Sequence, residues 1–286
     1  MGKIVFFDID GTLLDSEKKL PDSTREAIHL LKKRGTYVAI ATGRAPFMFS
    51  HLLHELQIDS YVSFNGQYVV FEQEMIYKNP LSKSQLTQLT QDSQAKGHSM
   101  VYMNEKTMKA NTEHDSFIEE SLGSLHFPYP EKQADFYTDH EIYQALLFCE
   151  EHHTALYEGN YSDLQFIRWH PYSMDVVPND GSKAKGIEHI IKRKGFSMEE
   201  VYAFGDGLND MEMIKAAGTG VVMGNGATIL KKEADFITKS VDSDGIYYAL
   251  KELNLIYRIP VRNHRLSYFS IAIALSMGAN GFSELI

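Results

Sequence analysis

The segment Asp8–Thr12 (DIDGT), which follows the apolar run Ile4–Phe7 (IVFF), constrains the fold more than any other part of the chain. Because the run is apolar throughout and does not alternate, it predicts a β-strand that is buried on both faces. The carboxyl end of such a strand opens into the crevice where parallel α/β sheets bind ligands. Two carboxylates at that point predict a site that handles anions, although Asp-Gly is also ordinary turn chemistry.

The two acidic residues of this segment suit two different chemical tasks. Asp8, at the end of the strand, can coordinate a hard cation and attack an electrophile. Asp10, two residues later, can give or take a proton, and Gly11 supplies the backbone freedom that the turn requires. The pentapeptide alone therefore indicates either a catalytic site or, more simply, a turn in which Asp8 caps a nearby group.

The composition limits the classes of partner. The 286 residues carry a formal net charge of −10 at pH 7, with a sequence pI near 5.6. Nucleic-acid binders need clustered Lys and Arg, so this charge argues against a nucleic-acid partner. No apolar stretch reaches the length that crosses a bilayer, which argues against a membrane partner. Cys149 is the only cysteine, so we expect a reducing compartment, the cytoplasm. The oligomeric state is left open.

The first forty residues have the pattern of a βαβ unit. Asp22 is expected to cap a helix over residues 23–34, and Gly35 is expected to end it. Residues 37–41 form a second continuous apolar run, which predicts a parallel strand joined to the first by a right-handed crossover.

The pattern of the sequence changes in the middle of the chain. Residues 1–80 and 179–255 alternate continuous apolar strands with helices, so we predict a doubly wound, Rossmann-like α/β core with a parallel sheet. Residues 81–178 contain strands that alternate apolar and polar positions, which predicts an inserted α+β cap over the crevice. Residues 256–286 form a C-terminal extension of uncertain structure, in which an apolar stretch favours a docked helix or an interface contact over a disordered tail.

Three later segments place polar residues at other strand ends or at the start of a helix. The second strand runs into Thr42-Gly43-Arg44, where a hydroxyl and a backbone amide can hold a phosphoryl oxygen. Lys183 begins a predicted helix, whose dipole favours an anion. A later strand runs into the acidic loop 205–210. Because the carboxyl ends of parallel strands lie at one edge of a sheet, we expect these segments to form one pocket.

Three of these assignments have alternatives. Either Lys183 or Lys185 can be the pocket cation, and Lys183 is favoured because the apolar stripe of the helix then faces the core. Arg44 can reach the phosphate or the organic part of a substrate, or it can form a structural ion pair. Asn65 can line the floor of the crevice, or it can form an Asn-Gly hairpin turn with Gly66.

Taken in order, these motifs resemble the four motifs of the haloacid dehalogenase superfamily of phosphohydrolases. The matching positions are Asp8–Thr12, Thr42, Lys183 and the loop 205–210, and the long insert resembles the type IIB cap of the Cof-like sugar-phosphatase branch. The resemblance covers about residues 3–253. It implies a Mg²⁺-dependent phosphatase that hydrolyses small phosphorylated metabolites, most plausibly sugar phosphates, through an aspartyl-phosphate intermediate.

The resemblance also implies a role for each catalytic residue. Asp8 would attack phosphorus, and Asp10 would protonate the leaving oxygen and then activate the hydrolytic water. Mg²⁺ would be held by the Asp8 carboxylate, the backbone carbonyl of Asp10, and Asp206. Thr42 and Lys183 would neutralise the transferring oxygens.

The remaining site residues would act around this centre. Asn209 and Asp210 would orient Lys183 or a metal-bound water. The expected substrate-binding residues are Gly11, Gly43, Arg44 and Asn65. Two other functions stay open: phosphoryl transfer, as in the resembling phosphomutases, and metabolite sensing without turnover. Asp10 favours hydrolysis, because the resembling transport ATPases carry Thr at that position.

Overall fold

The structure is a computed structural model that describes residues 2–256 of the chain. This part of the chain contains thirteen β-strands: β1 Ile4–Phe7, β2 Tyr37–Ala41, β3 Tyr61–Ser63, β4 Tyr68–Phe71, β5 Glu74–Lys78, β6 Ser99–Met103, β7 Met108–Ala110, β8 Gln144–Phe148, β9 Leu164–His170, β10 Ser173–Pro178, β11 Val201–Gly205, β12 Thr219–Val222 and β13 Phe236–Ile237. Its nine α-helices are α1 Asp22–Lys33, α2 Pro46–Leu56, α3 Lys83–Ala95, α4 Ser116–Ser124, α5 Phe136–Asp139, α6 Lys183–Lys194, α7 Met211–Ala216, α8 Thr228–Lys231 and α9 Gly245–Glu252.

The larger sheet has eight strands in the order β13-β12-β11-β1-β2-β3-β4-β5. The six strands from β13 to β3 are parallel, and β4 and β5 add an antiparallel edge. The chain leaves β1 for β2 on one side and returns much later to β11 on the other side. The order therefore reverses at β1, and the crevice for ligands opens at such a point. This arrangement confirms the predicted doubly wound α/β fold.

Helices cover both faces of the larger sheet, which explains why its strands are apolar without alternation. In β1, Val5 and Phe7 face a buried cluster that contains residues of α1, α2 and α9. Ile4 and Phe6 face the opposite cluster, which contains residues of α6, α7 and α8. All four side chains are inaccessible to solvent, so every position of the strand has to be apolar.

The smaller sheet has five antiparallel strands in the order β7-β6-β8-β10-β9. One face packs against α3 and α5 through residues such as Leu86, Leu89 and Phe136. The other face meets α4 and, from the larger sheet's side, Met48 and Phe64. The smaller sheet and its helices have the α+β architecture that was predicted for the insert. The exact boundaries of the insert, at residues 80/81 and 178/179, stay a prediction.

Several local predictions can be compared with the structure. The helix-capping role of Asp22 is wrong: α1 begins at Asp22, the N-cap position is Pro21, and no side chain caps the helix. Asp22 lies inside the first turn, where its carboxylate pairs with Arg25 three residues later. Gly35 does follow the helix with a φ of 74°, as predicted. The sequence patterns did not predict β7 and α4.

Two further points concern the whole chain. The predicted C-terminal extension lies, apart from Ile256, outside the described residues. Among the helices of residues 2–256, none combines the length and the apolar character that crossing a bilayer requires.

Candidate active site

Four distant segments meet at the carboxyl edge of the larger sheet. Asp8 directly follows β1, and its backbone N–H still donates to the carbonyl of Phe204 on β11 at 2.9 Å. A cavity of about 420 Å³ opens there, between this edge and the smaller sheet. The predicted site residues that line it are Asp8, Asp10, Thr42, Gly43, Arg44, Asp206 and Asn209. Its size lies in the range of about 300 to 1,000 Å³ that is typical of ligand pockets.

Lys183 lies beneath the cavity floor and joins two carboxylates. Its Nζ donates to Oδ1 of Asp8 and to Oδ1 of Asp210, both at 2.6 Å. Burial alone would lower the pKa of Lys183, but the charges of Asp210 and Asp8 outweigh it and raise that pKa above its usual value. Lys183 is therefore a permanent cation. Lys185 is exposed, as expected for the residue on the opposite side of α6.

We expect Lys183→Met to lower the free energy of unfolding by about 3 to 5 kcal/mol, because it leaves two buried carboxylates without their cation. Chemical denaturation with a matched Lys185→Met control measures this difference. The control should unfold like the wild type, since the exposed Nζ of Lys185 donates, among residues 2–256, only to the carbonyl oxygen of Asp180. Equal stabilities for the two variants would contradict the role assigned to Lys183.

Asp8 and Asp206 form an acidic pair. Burial raises the pKa of Asp8, and repulsion from Asp210, Asp206 and Asp10 raises it further, against the attraction of Lys183. Burial and repulsion from Asp210 likewise raise the pKa of Asp206 to about 6, although Thr12 donates to its Oδ1 at 3.0 Å. Carboxylate oxygens of Asp8, Asp206 and Asp210 all lie within 4.8 Å of one another. Such crowding disfavours full ionisation unless a cation is added.

Asp210 organises the loop in addition to holding Lys183. Its Oδ2 accepts the backbone N–H groups of Asp206 and Gly207, both at 2.9 Å. A Cβ at Gly205 would lie 2.5 Å from this carboxylate, and a Cβ at Gly11 would lie 2.2 Å from Oδ2 of Asp206. Gly11 therefore lets the two acidic loops approach each other closely, and Gly205 leaves room for the Asp210 carboxylate within its own loop.

Asp10 is paired with two cations. Its carboxylate accepts from Nε and a terminal nitrogen of Arg44, both at 2.7 Å, and from Nζ of Lys18 at 2.7 Å. Burial would raise the pKa of Asp10, but the hydrogen bonds and charges of Arg44 and Lys18 outweigh it and hold that pKa below its usual value. Asp10 is thus ionised in the structure, which is the protonation state of a base.

The comparisons with known proteins agree with this geometry. Residues 5–250 match the family model described as haloacid dehalogenase-like hydrolase. The chain belongs to this family. The resemblance inferred from the four motifs is therefore confirmed.

Two relatives of this hydrolase are similar over nearly their whole length. The protein named "Putative phosphatase YkrA" from Bacillus subtilis (strain 168) is 47% identical over 254 residues, which cover 89% of this chain and 98% of that protein. A solved structure of a hypothetical protein from Geobacillus kaustophilus HTA426 is 52% identical, covers 90% of this chain and 100% of that one, and has a TM-score of 0.85.

A third relative indicates the subclass of the family that this chain resembles. The solved structure of BT4131, described as a haloacid dehalogenase subclass IIB sugar phosphatase, is 31% identical with a TM-score of 0.80. It covers 89% of this chain and 100% of that one. Together with the family match, these relatives identify the chain as a phosphatase of the haloacid dehalogenase superfamily.

Two candidate substrate-binding residues of the hydrolase lie beside each other. Gly43 passes so close to Asn65 that a Cβ there would be 3.0 Å from its amide. Asn65 has a φ of 52° and forms the turn between β3 and β4, and it is not among the residues that line the cavity. Its amide donates to Asp175 at 3.0 Å and accepts from Asn209 at 3.2 Å. The predicted turn is therefore present, and Asn65 is connected to the cavity through its hydrogen bonds to Asp175 and Asn209, which do line it.

Sequence reasoning missed two charged residues of the site. Lys18 pairs with Asp10 from the loop after β1, and its φ of 60° marks a tight turn that the sequence did not reveal. Asp175 lies on β10 with an exposed fraction of 8% and lines the cavity opposite the larger sheet. A signal for Asp175 was present, because it is a charged residue within the apolar strand SMDVV.

Proposed function

We propose that this phosphatase is a Mg²⁺-dependent enzyme that hydrolyses small phosphorylated metabolites, sugar phosphates foremost, through an aspartyl-phosphate at Asp8. The environment of Asp8 carries the proposal. Its Oδ1 is held by Lys183, whereas none of the described residues hydrogen-bonds to Oδ2. A buried carboxylate with one oxygen fixed and the other open toward a cavity is arranged for nucleophilic attack.

The residues present fit a divalent cation. Asp8 and Asp206 offer oxygen ligands, which Mg²⁺ prefers, and their repulsion raises the pKa of each carboxyl. Asp210 is fully engaged with Lys183 and two backbone amides, so it is left as a positioning group. Asp8, Asp206 and the backbone carbonyl of Asp10 would hold the ion. When bound, it would neutralise a phosphoryl oxygen and orient the phosphate.

The first half of the proposed reaction breaks the bond between phosphorus and the leaving oxygen. Oδ2 of Asp8 attacks phosphorus, and Asp10 gives a proton to the departing oxygen. Since Arg44 and Lys18 keep Asp10 ionised without substrate, the incoming phosphate has to compete for these cations before Asp10 can carry that proton. Thr42 and Lys183 would stabilise charge on the transferring group, and such electrostatic stabilisation usually contributes more to catalysis than any other single effect.

The second half regenerates the enzyme. Asp10, now a carboxylate, takes a proton from water as that water attacks phosphorus, and the bond between phosphorus and Asp8 breaks to release inorganic phosphate. The low pKa of Asp10 next to Arg44 suits this step, because a base has to be ionised at the working pH.

Phosphate release from p-nitrophenyl phosphate and from a panel of sugar phosphates tests the proposal directly. We expect turnover with Mg²⁺, loss of turnover with a chelator, and preference for some sugar phosphates. The name of BT4131 supports the sugar-phosphate part of the proposal. No phosphate release from any of these compounds with Mg²⁺ present would refute it. A cytoplasmic location belongs to the proposal, and the buried free thiol of Cys149 supports it.

Arg44→Ala should move the acidic limb of the pH–rate profile to higher pH. Arg44 lowers the pKa of Asp10, so its removal raises that pKa, and a higher pH is then needed to form the base. The kcat profile from pH 4 to 9 measures the shift, and Arg25→Ala, at a surface ion pair, is the control. An unmoved limb in Arg44→Ala would show that Asp10 does not govern it.

A further inference from the structure

The smaller sheet turns one face toward the cavity. On this face Asp175 of β10 lies between Leu146 of β8 and Ile167 of β9, its partners in the strand register. Their neighbours Met174 and Val176 point to the opposite face and pack in the cluster with α3. The cavity-facing side of the cap sheet, which we call the cap face, therefore has a buried carboxyl group at its centre.

Only one oxygen of the Asp175 carboxyl group accepts a hydrogen bond from the described residues. Asn65 donates to Oδ2 at 3.0 Å, and none of the described residues donates to Oδ1 at hydrogen-bond distance and angle. Burial raises the pKa of Asp175 to about 7, although the Asn65 hydrogen bond, the Trp169 indole and the charge of Lys183 lower it. Either protonation state of this carboxyl group can bond a hydroxyl group, as acceptor or as donor.

A second polar group of the cap face has no partner. Gln144 of β8 lines the cavity with an exposed fraction of 2%, and its Oε1 is buried without a donor among the described residues. The indole Nε1 of Trp169, also at the cavity, is likewise buried and outside hydrogen-bonding geometry. Buried polar atoms are nearly always satisfied in folded proteins, so the Gln144 oxygen points to a donor that a ligand supplies, whereas the Trp169 N–H already acts on the carboxyl group of Asp175.

The rest of the cap face is apolar apart from Arg168, the one cation of the smaller sheet that lines the cavity among the described residues. Leu146, Ile167 and Met103 separate the polar groups. The guanidinium of Arg168 is turned away, toward the carbonyls of Cys149 and Pro171. The ionised form of Asp175 repels an anion, and the cap face turns no cation toward one, so we assign the phosphate to the sheet edge and the organic part of the substrate to the cap face.

We propose that the cap face is a leaving-group subsite for an uncharged, polyhydroxylated group, in which Asp175 and Gln144 bind hydroxyls of a sugar monophosphate. The apolar side chains cover the C–H surfaces of the sugar, as in other pockets with a few placed polar groups. The subsite rejects a second anionic group on the sugar. This inference rests on the proposed function and adds the charge class of the substrate to it.

The experiment compares kcat/KM for fructose 6-phosphate and fructose 1,6-bisphosphate, a pair that differs by one phosphate. Asp175→Asn should lower the value for the monophosphate and raise the value for the bisphosphate, so that their ratio falls by at least about tenfold. Gln144→Met should lower the monophosphate value without lowering the melting temperature, since it removes a buried atom that has no partner. Gln91→Met, at an exposed position of α3 on the opposite side of the smaller sheet, should change neither.

Each possible outcome of this comparison supports or contradicts the proposed subsite. Opposite changes for the two substrates in Asp175→Asn support the subsite, because a purely structural defect lowers both values together. An unchanged ratio in both Asp175→Asn and Gln144→Met overturns it, and so does a wild-type preference for the bisphosphate. If the wild type hydrolyses p-nitrophenyl phosphate but neither fructose phosphate nor any other sugar monophosphate, the subsite assignment fails while the phosphatase mechanism stands. If it hydrolyses no phosphomonoester, the proposed function fails and the inference falls with it.

Discussion

Asp8→Asn is expected to reduce phosphate release by at least about 10⁴-fold, because an amide cannot form the covalent intermediate with phosphorus. Asparagine has nearly the same shape as aspartate, so the cavity should keep its form. Initial rates on p-nitrophenyl phosphate with saturating Mg²⁺ measure the loss. Circular dichroism and the melting temperature show whether the variant has folded.

Two further variants test the roles of the carboxylates in the same assay. Asp10→Asn should also lose most of its turnover, since neither proton transfer can occur without the carboxyl group. Asp22→Asn, at a fully exposed carboxylate, is the matched control and should keep wild-type rates. Retention of about one tenth of the wild-type rate by folded Asp8→Asn would remove Asp8 from the role of nucleophile.

Removal of Mg²⁺ should have the second largest effect. A chelator is expected to lower turnover by at least about 10³-fold, because the phosphate would meet Asp8 and Asp206 with only the single charge of Lys183 to offset theirs. Adding Mg²⁺ should restore the rate. Asp206→Asn should need a higher Mg²⁺ concentration for half-maximal rate, whereas Asp242→Asn, at an exposed position, should not. Full activity in the chelator would contradict the role assigned to the acidic pair.

The same acidic pair predicts how Mg²⁺ changes stability with pH. The pKa of Asp206 is raised to about 6 and that of Asp8 is also raised, so the folded protein holds these protons more tightly than the unfolded chain. The stability that these groups contribute is present at low pH and is lost as pH rises through about 6 and beyond. Mg²⁺ binds the ionised pair, so it offsets that loss.

Melting temperatures with and without Mg²⁺ at pH 5 and pH 8 check this prediction. The increase caused by Mg²⁺ should be larger at pH 8, and Asp206→Asn should reduce the difference between the two pH values. An increase that is equal at both pH values, or larger at pH 5, would mean that the ion does not bind the ionised pair.

The sequence predicted those parts of the fold and site that depend on the backbone path. The continuous apolar run before Asp8 indicated a strand buried on both faces, and parallel strands end at one edge whatever their separation in sequence. The apolar stripe of α6 distinguished Lys183 from Lys185, because Lys183 lies on the same buried side of the helix as that stripe and Lys185 does not. Secondary-structure periodicity was enough for each of these inferences.

The parts that were missed depend on side-chain contacts between segments far apart in the sequence. Asp175 meets Asn65 only because β10 pairs between β8 and β9 and the smaller sheet then covers the crevice. Lys18 reaches Asp10 through a turn in which Lys18 itself has a left-handed backbone conformation. Neither glycine nor asparagine stands at this position, so the sequence did not indicate the turn. Asp22 is not the N-cap residue because the helix begins one residue earlier than predicted. Pro21 takes the N-cap position, so Asp22 lies inside the helix.

A crystal structure of the protein grown with Mg²⁺ and beryllofluoride tests the central claim most directly, since this fluoride mimics a phosphoryl group on a carboxylate. We predict beryllium bonded to an oxygen of Asp8, one metal ion between Asp8 and Asp206, and fluorine atoms within hydrogen-bond distance of Thr42 and Lys183. An adduct on a different residue, or an empty Asp8 under conditions that saturate the metal, would contradict the proposed mechanism.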